Sequence, residues 1–348
     1  MSHTARFALD DQIASIPGTV RDVLATVEAP PLDPGRPLLF SGIGTSLHAA
    51  RVAADWVTQL TGGHTRAVAV DSHDLALREP LTGAEQVVVI SHRGYKRFPI
   101  AALTRANAAG CTTVAVVGAA APEQPAHHTL RTCVNETAGT FSVSYLASLA
   151  ALARIAARVA TDGGATARAA AFSAELERLP AALAATLAEP APVDAAARLD
   201  GREPLLLVGF GVDHATVDEA ALKVKEGAWL WAEALSVEFA LHGTPAVYRP
   251  GQGAVVMLPA EDDGGRVAEA LTLLRRLGVE VVTCGAADAP APGADLRFAA
   301  TSPLLRPFTG IVPFHRLTAE LARRRGTDPD TLHGGRDAWQ AAMQALKL

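Results

Sequence analysis

The chain has 348 residues, 31 Lys and Arg against 36 Asp and Glu, a formal charge of −5, and 49% hydrophobic and 19% charged residues. That apolar content supplies real cores and excludes an intrinsically disordered chain. The mild acidity argues against nucleic-acid binding, which needs a basic face. The length suggests about two domains. A helix is predicted over Asp10–Val27, then a Pro-rich break over Ala29–Pro37. Strand and helix signals alternate from there. Pro37–Gly44 reads as a strand ending in a glycine turn, Thr45–Leu60 as a helix, Arg66–Asp74 as a strand, and Glu85–Gly94 as a strand with a second glycine turn. Arg97–Ala109 reads as a helix, Thr112–Gly118 as a strand, His127–Asn135 as a short strand, and Gly139–Ala160 as a long Ala-rich helix.

A second linker, EPAP, covers Glu189–Pro192, and the pattern restarts. Pro204–Gly211 is a strand with a glycine turn, and residues 215–235 read as one long helix. Strands at 253–260, 279–285 and 295–301 and helices at 265–278 and 307–326 complete the chain. Short apolar runs alternating with helices predict parallel sheets covered on both faces, an α/β class. Each half opens PLL, a short apolar run and G-x-G, so the chain reads as an internal repeat of about 150–160 residues. The expected partition is an N-terminal helical segment over residues 1–30, one α/β domain over 31–186 and a second over 187–348. No uninterrupted apolar stretch reaches the roughly 18 residues of a membrane span. The most apolar helical stretch, Tyr145–Ala160, contains Arg154 and Arg158. The opening MSHTARFALDD lacks the apolar core of a signal peptide. The expectation is a soluble, cytoplasmic protein without a membrane partner.

Four motifs carry chemistry. Gly42-Ile43-Gly44-Thr45-Ser46 follows a strand and opens a helix, where unpaired N–H groups and positive partial charge suit a phosphate or a polyhydroxylated sugar. It matches neither G-x-G-x-x-G nor a Walker loop. The competing reading is a plain turn with Ser46 as helix N-cap. Ser91-His92-Arg93-Gly94-Tyr95-Lys96-Arg97 also follows a strand. In a doubly wound sheet it would line the ligand crevice and make its rim cationic; otherwise it is a solvated basic loop. Glu219, Lys223 and Glu226 sit at i, i+4 and i+7. They form either an exposed salt-bridged stripe or a carboxylate held beside a cation in a cleft, with Glu226 as general base. His242, between Leu241 and Gly243-Thr244-Pro245, is an acid/base candidate or an exposed loop histidine.

Cys111, Cys133 and Cys284 form no CxxC pair and read as buried or semi-buried thiols, with a catalytic cysteine as the minor alternative. The remaining histidines, among them His127, His128 and His315, form no metal-type constellation, so no metal is predicted. No cofactor is predicted either.

These residues together resemble the double sugar-isomerase (SIS) domain family, in particular the isomerase half of glucosamine-6-phosphate synthase. GIGTSLHAARVAADW resembles the family's first phosphosugar turn, VVVISHRG its strand and SQSGET loop, and Glu136 with TFSVSY its second substrate loop. VDEAALKVKEGAWLWAEALSVEFALHGTPAV is the most specific match, and RRGTDPD resembles the family's KGTDVD. The opening DQIASIPGTVRDVL resembles its N-terminal EQP helix. The resemblance implies two tandem flavodoxin-like three-layer domains and aldose–ketose or amino-sugar phosphate chemistry. It assigns C1/C2 proton transfer to Glu226, ring opening to His242, and supporting roles to Lys223 and Glu219. Phosphate and sugar binding fall to Gly44, Thr45, Ser46, Ser91, His92, Arg93, Lys96 and Ser142. It implies a homodimer with the active site near the subunit interface. The sequence shows no glutaminase domain and no N-terminal Cys nucleophile, and a separate glutaminase is one candidate source of ammonia.

The departures are specific. Arg93 and Lys96 replace a Ser and a Thr of SQSGET, which points to a different phosphate pose or a more anionic ligand. The family's Ser-Thr-Lys loop reads Phe141-Ser142-Val143, without its Lys. Its C-terminal Schiff-base Lys is replaced within Leu332-His333-Gly334-Gly335-Arg336-Asp337, where Arg336 cannot serve as an amine nucleophile; Lys347 is out of register. The alternatives to an isomerase are a ketosamine-phosphate deglycase or deaminase, a non-catalytic sugar-phosphate regulator, and a biosynthetic enzyme with an unusually anionic substrate.

Overall fold

The computed structural model describes residues 5–288, 293–332 and 337–346. The first part of the chain forms α1 (Ala8–Thr26), β1 (Leu38–Gly42), α2 (Thr45–Thr61), β2 (Ala67–Asp71), α3 (Ser72–Leu77), β3 (Gln86–Ile90), α4 (Arg97–Ala108), β4 (Thr112–Val117) and β5 (His128–Arg131). Helices α5 (Val143–Asp162), α6 (Thr166–Ala188) and α7 (Val193–Leu199) follow. The second part forms β6 (Leu205–Gly209), α8 (Val212–Lys223), a π-helical turn (Val224–Ala228), β7 (Ala232–Ser236), α9 (Val237–Leu241), β8 (Gly253–Met257), α10 (Arg266–Arg276), β9 (Glu280–Ala286), β10 (Leu296–Phe298), α11 (Arg306–Arg325) and α12 (Asp337–Gln344).

The chain divides into two compact units, neither continuous in sequence. The N-terminal unit holds residues 16–136 and 143–180 with α12; the C-terminal unit holds residues 5–15, 137–142 and 181–332. Each is built on one five-stranded, all-parallel sheet. The orders are β2-β1-β3-β4-β5 and β7-β6-β8-β9-β10, the same flavodoxin-like topology twice. The register repeats too. Leu38 pairs with Ala67 and Gln86, and Leu205, in the matching place, pairs with Ala232 and Gly253.

The central strands β1, β3, β6 and β8 are buried along their whole length, as parallel strands covered on both faces must be. In the N-terminal unit Leu39, Val87, Val89 and Val117 pack against Leu75 and Leu103. In the C-terminal unit Leu206, Val208 and Val256 pack against Val237, Leu274 and Val279. Helix α5 is long and apolar enough to cross a membrane by length and composition, but 89% of its apolar window is buried inside the protein, so it is a core helix.

Three predicted elements are corrected. The helix expected over Gly139–Ala160 starts at Val143, because the Glu136 carboxylate accepts from the Val143 and Ser144 amides (3.2 and 2.7 Å) and fixes its N-terminus there. The helix expected over residues 215–235 ends at Lys223, widens into the π turn and stops at Trp229, which has a left-handed φ of 51°. Ala232–Ser236, rich in helix formers, then pairs with β6 instead; a free sheet edge overrides local propensity. The N-cap of α2 is Gly44, with no side-chain cap, rather than Ser46.

Candidate functional site

A 2-1-3-4-5 sheet reverses its winding between the first and third strands, and ligands bind in the crevice beyond their carboxyl ends. In the N-terminal unit that crevice is framed by the loops after β1 and β3. The β1 loop requires its glycines. A Cβ on Gly42 would lie 2.4 Å from the Ser46 backbone carbon, and Gly44 has φ 56° and ψ −126°. The tight turn brings the first turn of α2, with half-buried Thr45 and Ser46, to the crest of the sheet. Below it the buried Ser41 and Ser72 hydroxyls bond at 2.9 Å.

The β3 loop is equally constrained. The Ser91 amide continues the ladder to the Val116 carbonyl, and Gly94 (φ 67°) closes a turn onto the Ser91 carbonyl at 2.9 Å. Ser91 and His92 are buried. Burial pushes the His92 imidazole below its usual range; Glu136 opposes the shift and Arg93 adds to it. Gly118 makes room for the ring, since a Cβ there would sit 2.7 Å from His92 Cε1. Arg93, Lys96 and Arg97 are exposed, and Arg93 donates to the Tyr95 hydroxyl at 3.0 Å. Lys96 is the N-cap of α4. The crest thus combines hydroxyls, two helix N-termini and a cationic rim, a set suited to an anionic sugar ligand.

The C-terminal unit repeats the loop but not the opening. Gly211 has φ 58° and ψ −132°, within a few degrees of Gly44. Asp213 stands where the first loop has Ser46, and it is buried. Arg306, at the start of α11, donates to both Asp213 carboxylate oxygens, at 2.7 Å for the shortest contact, and to the Leu258 carbonyl just beyond β8 at 2.7 Å. Its guanidinium also lies over the Phe298 ring. An internal ion pair therefore fills this crevice.

A second polar cluster of the C-terminal unit lies at the far end of α8. Lys223 Nζ is 3.4 Å from Glu219 and 2.5 Å from Glu226. Glu219 and Lys223 are 0% and 1% exposed and Glu226 is 26% exposed, so the exposed-stripe reading fails. The π turn carries Glu226, and such turns concentrate at functional sites. The C-terminal stretch secures it. Arg325 donates to the Ala228 carbonyl, Thr327 to the Gly227 carbonyl, and Gly227 meets α11 so closely that a Cβ would be 2.5 Å from Thr318 Cγ2. The arrangement is a half-exposed carboxylate with its ammonium partner behind it, which can accept and return a proton.

His242 does not join this cluster. It follows α9 on the surface, with Nε2 3.1 Å from Glu238 and 3.2 Å from an Arg266 nitrogen. Ser142 is buried immediately before α5, and Glu136 serves as that helix's cap. Arg336 and Lys347, with His333 to Gly335, lie outside the described residues. All three cysteines are buried. Burial pushes the Cys133 thiol up to about 12 and raises Cys111 and Cys284 as well, so none is a poised nucleophile. Among the described residues no group of His, Cys, Asp and Glu could hold a metal ion.

Sequence reasoning missed four features. Asp213 and Arg306 are 93 residues apart, and no local pattern pairs them. His315, read only as a scattered histidine, is buried on α11, where the charges of Glu219 and Lys223 act on it in opposite senses. Gly227 is an unremarked glycine inside a helical pattern. Asp330 of the GTDPD motif accepts from the Ala8 and Leu9 amides at 2.6 and 2.9 Å and so caps α1, while Gly139 and Thr140 donate to the Asp330 and Pro329 carbonyls.

No protein-family model matches the chain. It is 29% identical over 305 residues to the glutamine–fructose-6-phosphate aminotransferase (isomerizing) of Acidithiobacillus ferridurans, covering 84% of this chain and 50% of that protein. The chain spans about half the length of the curated relatives it matches. Among solved structures, the C-terminal domain of glucosamine-fructose-6-phosphate aminotransferase from Francisella tularensis superposes with a TM-score of 0.84 at 17% identity, covering 95% of this chain and 99% of that one. The tagatose-6-phosphate ketose/aldose isomerase of Escherichia coli superposes at 0.70 and 18% identity, covering 97% and 99%. The relatives found are of the kind the sequence resemblance named, and the fold is that of these solved structures, two five-stranded parallel α/β units.

Proposed function

We propose that this tandem SIS chain is a phosphosugar isomerase that moves a proton between C1 and C2 of an open-chain sugar or amino-sugar phosphate. The observation that carries the reading is the Glu219–Lys223–Glu226 cluster, with a half-exposed carboxylate ion-paired to a buried ammonium. Glu226 takes the C2 proton of the aldose and returns it to C1 of the enediol, and the ketose reacts in reverse. Lys223 orients the carboxylate. Within the N-terminal unit, Thr45, Ser46, the α2 amides, Ser91 and Arg93 offer the groups that bind an anion. Its similarity to an isomerizing aminotransferase and to a ketose/aldose isomerase supports this reaction class. Amine gain or loss at C2 would use the same proton transfer.

His242 opens the sugar ring in this reading, supplied by the second copy of a homodimer. Its surface position, next to exposed Phe239, supports that role. Proton NMR in deuterated buffer, with a panel of hexose and amino-hexose 6-phosphates with and without ammonium, tests the whole reading. Deuterium is expected at C2 with the wild type. Glu226→Gln is expected to lose the exchange and keep the ligand's dissociation constant within a few-fold. Wild-type rates in that variant would remove Glu226 from the mechanism.

A further inference from the structure

Helix α11 packs along α8, and its seam with that helix extends onto the π turn that carries Glu226. A helix end leaves its last carbonyls without partners inside the helix. Here the chain leaves the turn at Trp229, and the last two residues of the turn, Gly227 and Ala228, are buried. Their carbonyls find partners far downstream. Thr327 Oγ1 donates to the Gly227 carbonyl at 2.8 Å, and Arg325 Nε to the Ala228 carbonyl at 2.9 Å. The donors sit on fixed backbone. Helix α11 stops at Gly326 (φ 67°), and the Gly326 and Thr327 amides both reach back to the Ala322 carbonyl, the latter at 3.0 Å. Just beyond, Asp330 caps α1, and the Pro329 and Asp330 carbonyls accept from the Thr140 and Gly139 amides at 2.9 and 2.8 Å. The Thr327 hydroxyl is thus held from both sides.

What these contacts fix is the register of the turn. A helical segment can bond from i to i+4, as an α-helix does, or from i to i+5, the rarer π form. The two forms differ by one residue per hydrogen-bonded ring, so they aim a given side chain in different directions around the axis. The π form here places Glu226 Oε2 2.5 Å from Lys223 Nζ. The carbonyl that Thr327 holds belongs to the next residue. That residue is also packed from three segments: a Cβ on Gly227 would lie 2.5 Å from Thr318 Cγ2, 3.2 Å from Thr140 Oγ1 and 3.3 Å from Pro329 Cβ.

We propose that Thr327 is a positioning residue for Glu226: its hydroxyl, by holding the Gly227 carbonyl, keeps residues 224–228 in the π register and so keeps the Glu226 carboxylate beside Lys223. The proposal rests on the reading of Glu226 as the base. Its tests therefore include one that needs no turnover. Arg325 holds the neighbouring carbonyl, but it also lies 3.7 Å from Asp200 and 3.3 Å from Glu203, so Thr327 gives the cleaner perturbation. Thr327→Val, which keeps the shape and removes the donor, is expected to lower kcat for C2 exchange at least tenfold with KM within twofold. Thr327→Ser, which keeps the hydroxyl, is expected to hold kcat within about threefold of wild type. A role confined to stability would move the unfolding midpoint without this split or this rescue.

The second readout is a pair of crystal structures. In Thr327→Val the 224–228 turn is expected to have left the i to i+5 register, or Glu226 to have moved beyond about 4 Å from Lys223 Nζ, the limit of an ion pair. In Thr327→Ser both are expected to stay as they are. An unchanged turn in Thr327→Val, a smaller loss of kcat there, or the same loss in Thr327→Ser overturns the proposal. If Thr327→Val does not fold, both readouts pass to Thr327→Ala, which removes the hydroxyl without setting a methyl against the Gly227 carbonyl; wild-type behaviour there overturns it equally. Absence of exchange by the wild type on every substrate defeats the functional reading alone, and the crystal structures then decide the role of Thr327.

Discussion

The buried imidazole of His315 makes acid stability a direct measure of the α8–α11 seam. Its folded-state proton affinity lies at about 3, against 6.5 in an unfolded chain. Below pH 6.5 the unfolded state binds a proton that the folded state refuses, so stability falls as pH falls. The contribution is complete above 6.5 and lost progressively toward pH 3. At about 1.36 kcal/mol for each pH unit, the full span is worth on the order of 5 kcal/mol. Between pH 7.5 and 4.5 the loss amounts to about 2.5 kcal/mol. His92, also depressed by burial, acts with the same sign in the N-terminal unit. The comparison is therefore wild type against His315→Gln, which removes one titration and leaves the other. Urea unfolding of the C-terminal unit, followed by circular dichroism at both pH values, should show the wild type losing about 2.5 kcal/mol more than the variant. An equal loss in the two proteins would mean that the ring is protonated in the folded state or reached by water, and not closed off between α8 and α11.

Three further outcomes follow from single contacts. Gly227→Ala puts a Cβ 2.5 Å from Thr318 Cγ2 and should cost about 1–3 kcal/mol in urea unfolding, largely recovered by adding Thr318→Ser; an unaltered Gly227→Ala would show that α8 and α11 can separate freely. Asp213→Asn strips the carboxylate from buried Arg306 and should cost about 3–5 kcal/mol, whereas Asp213→Leu with Arg306→Met should be close to neutral; a loss below about 1 kcal/mol for the single change contradicts a closed crevice. Arg93→Ser, if Arg93 contacts the ligand's anion, should weaken binding of a sugar phosphate about tenfold in calorimetry and flatten its salt dependence; unchanged affinity would leave Arg93 a solvated loop residue.

The fold was legible because its signals are local and repeated. The PLL and G-x-G openings mark β1 and β6, and the glycine spacing specifies turns that the structure forms at nearly identical angles. The spacing of Glu219, Lys223 and Glu226 was legible as a cluster, but not its burial, which depends on α11 arriving from some 90 residues downstream. Strand β7 was hidden for the opposite reason. AEALS has helix-forming residues, and only the vacant edge of β6 makes it a strand. The π turn before it depends on a left-handed Trp229, a conformation no propensity predicts for tryptophan. Asp330 carried a motif whose role, capping α1 from more than 300 residues away, is invisible without coordinates.

The duplicated fold also explains why one chain needs two unlike halves. Both begin with the same strand, the same left-handed glycine and the same helix, so both inherit a crest that would accept an anion. In the first half the position after that glycine pair keeps small hydroxyls, Thr45 and Ser46. In the second it carries Asp213, whose charge repels an anion and recruits Arg306. That substitution closes the crevice and anchors the first turn of α11. Anchored there, α11 runs along α8 and brings Thr318 against Gly227. The ion pair that occupies the second crest thus also fixes the start of the helix that packs against the turn carrying Glu226.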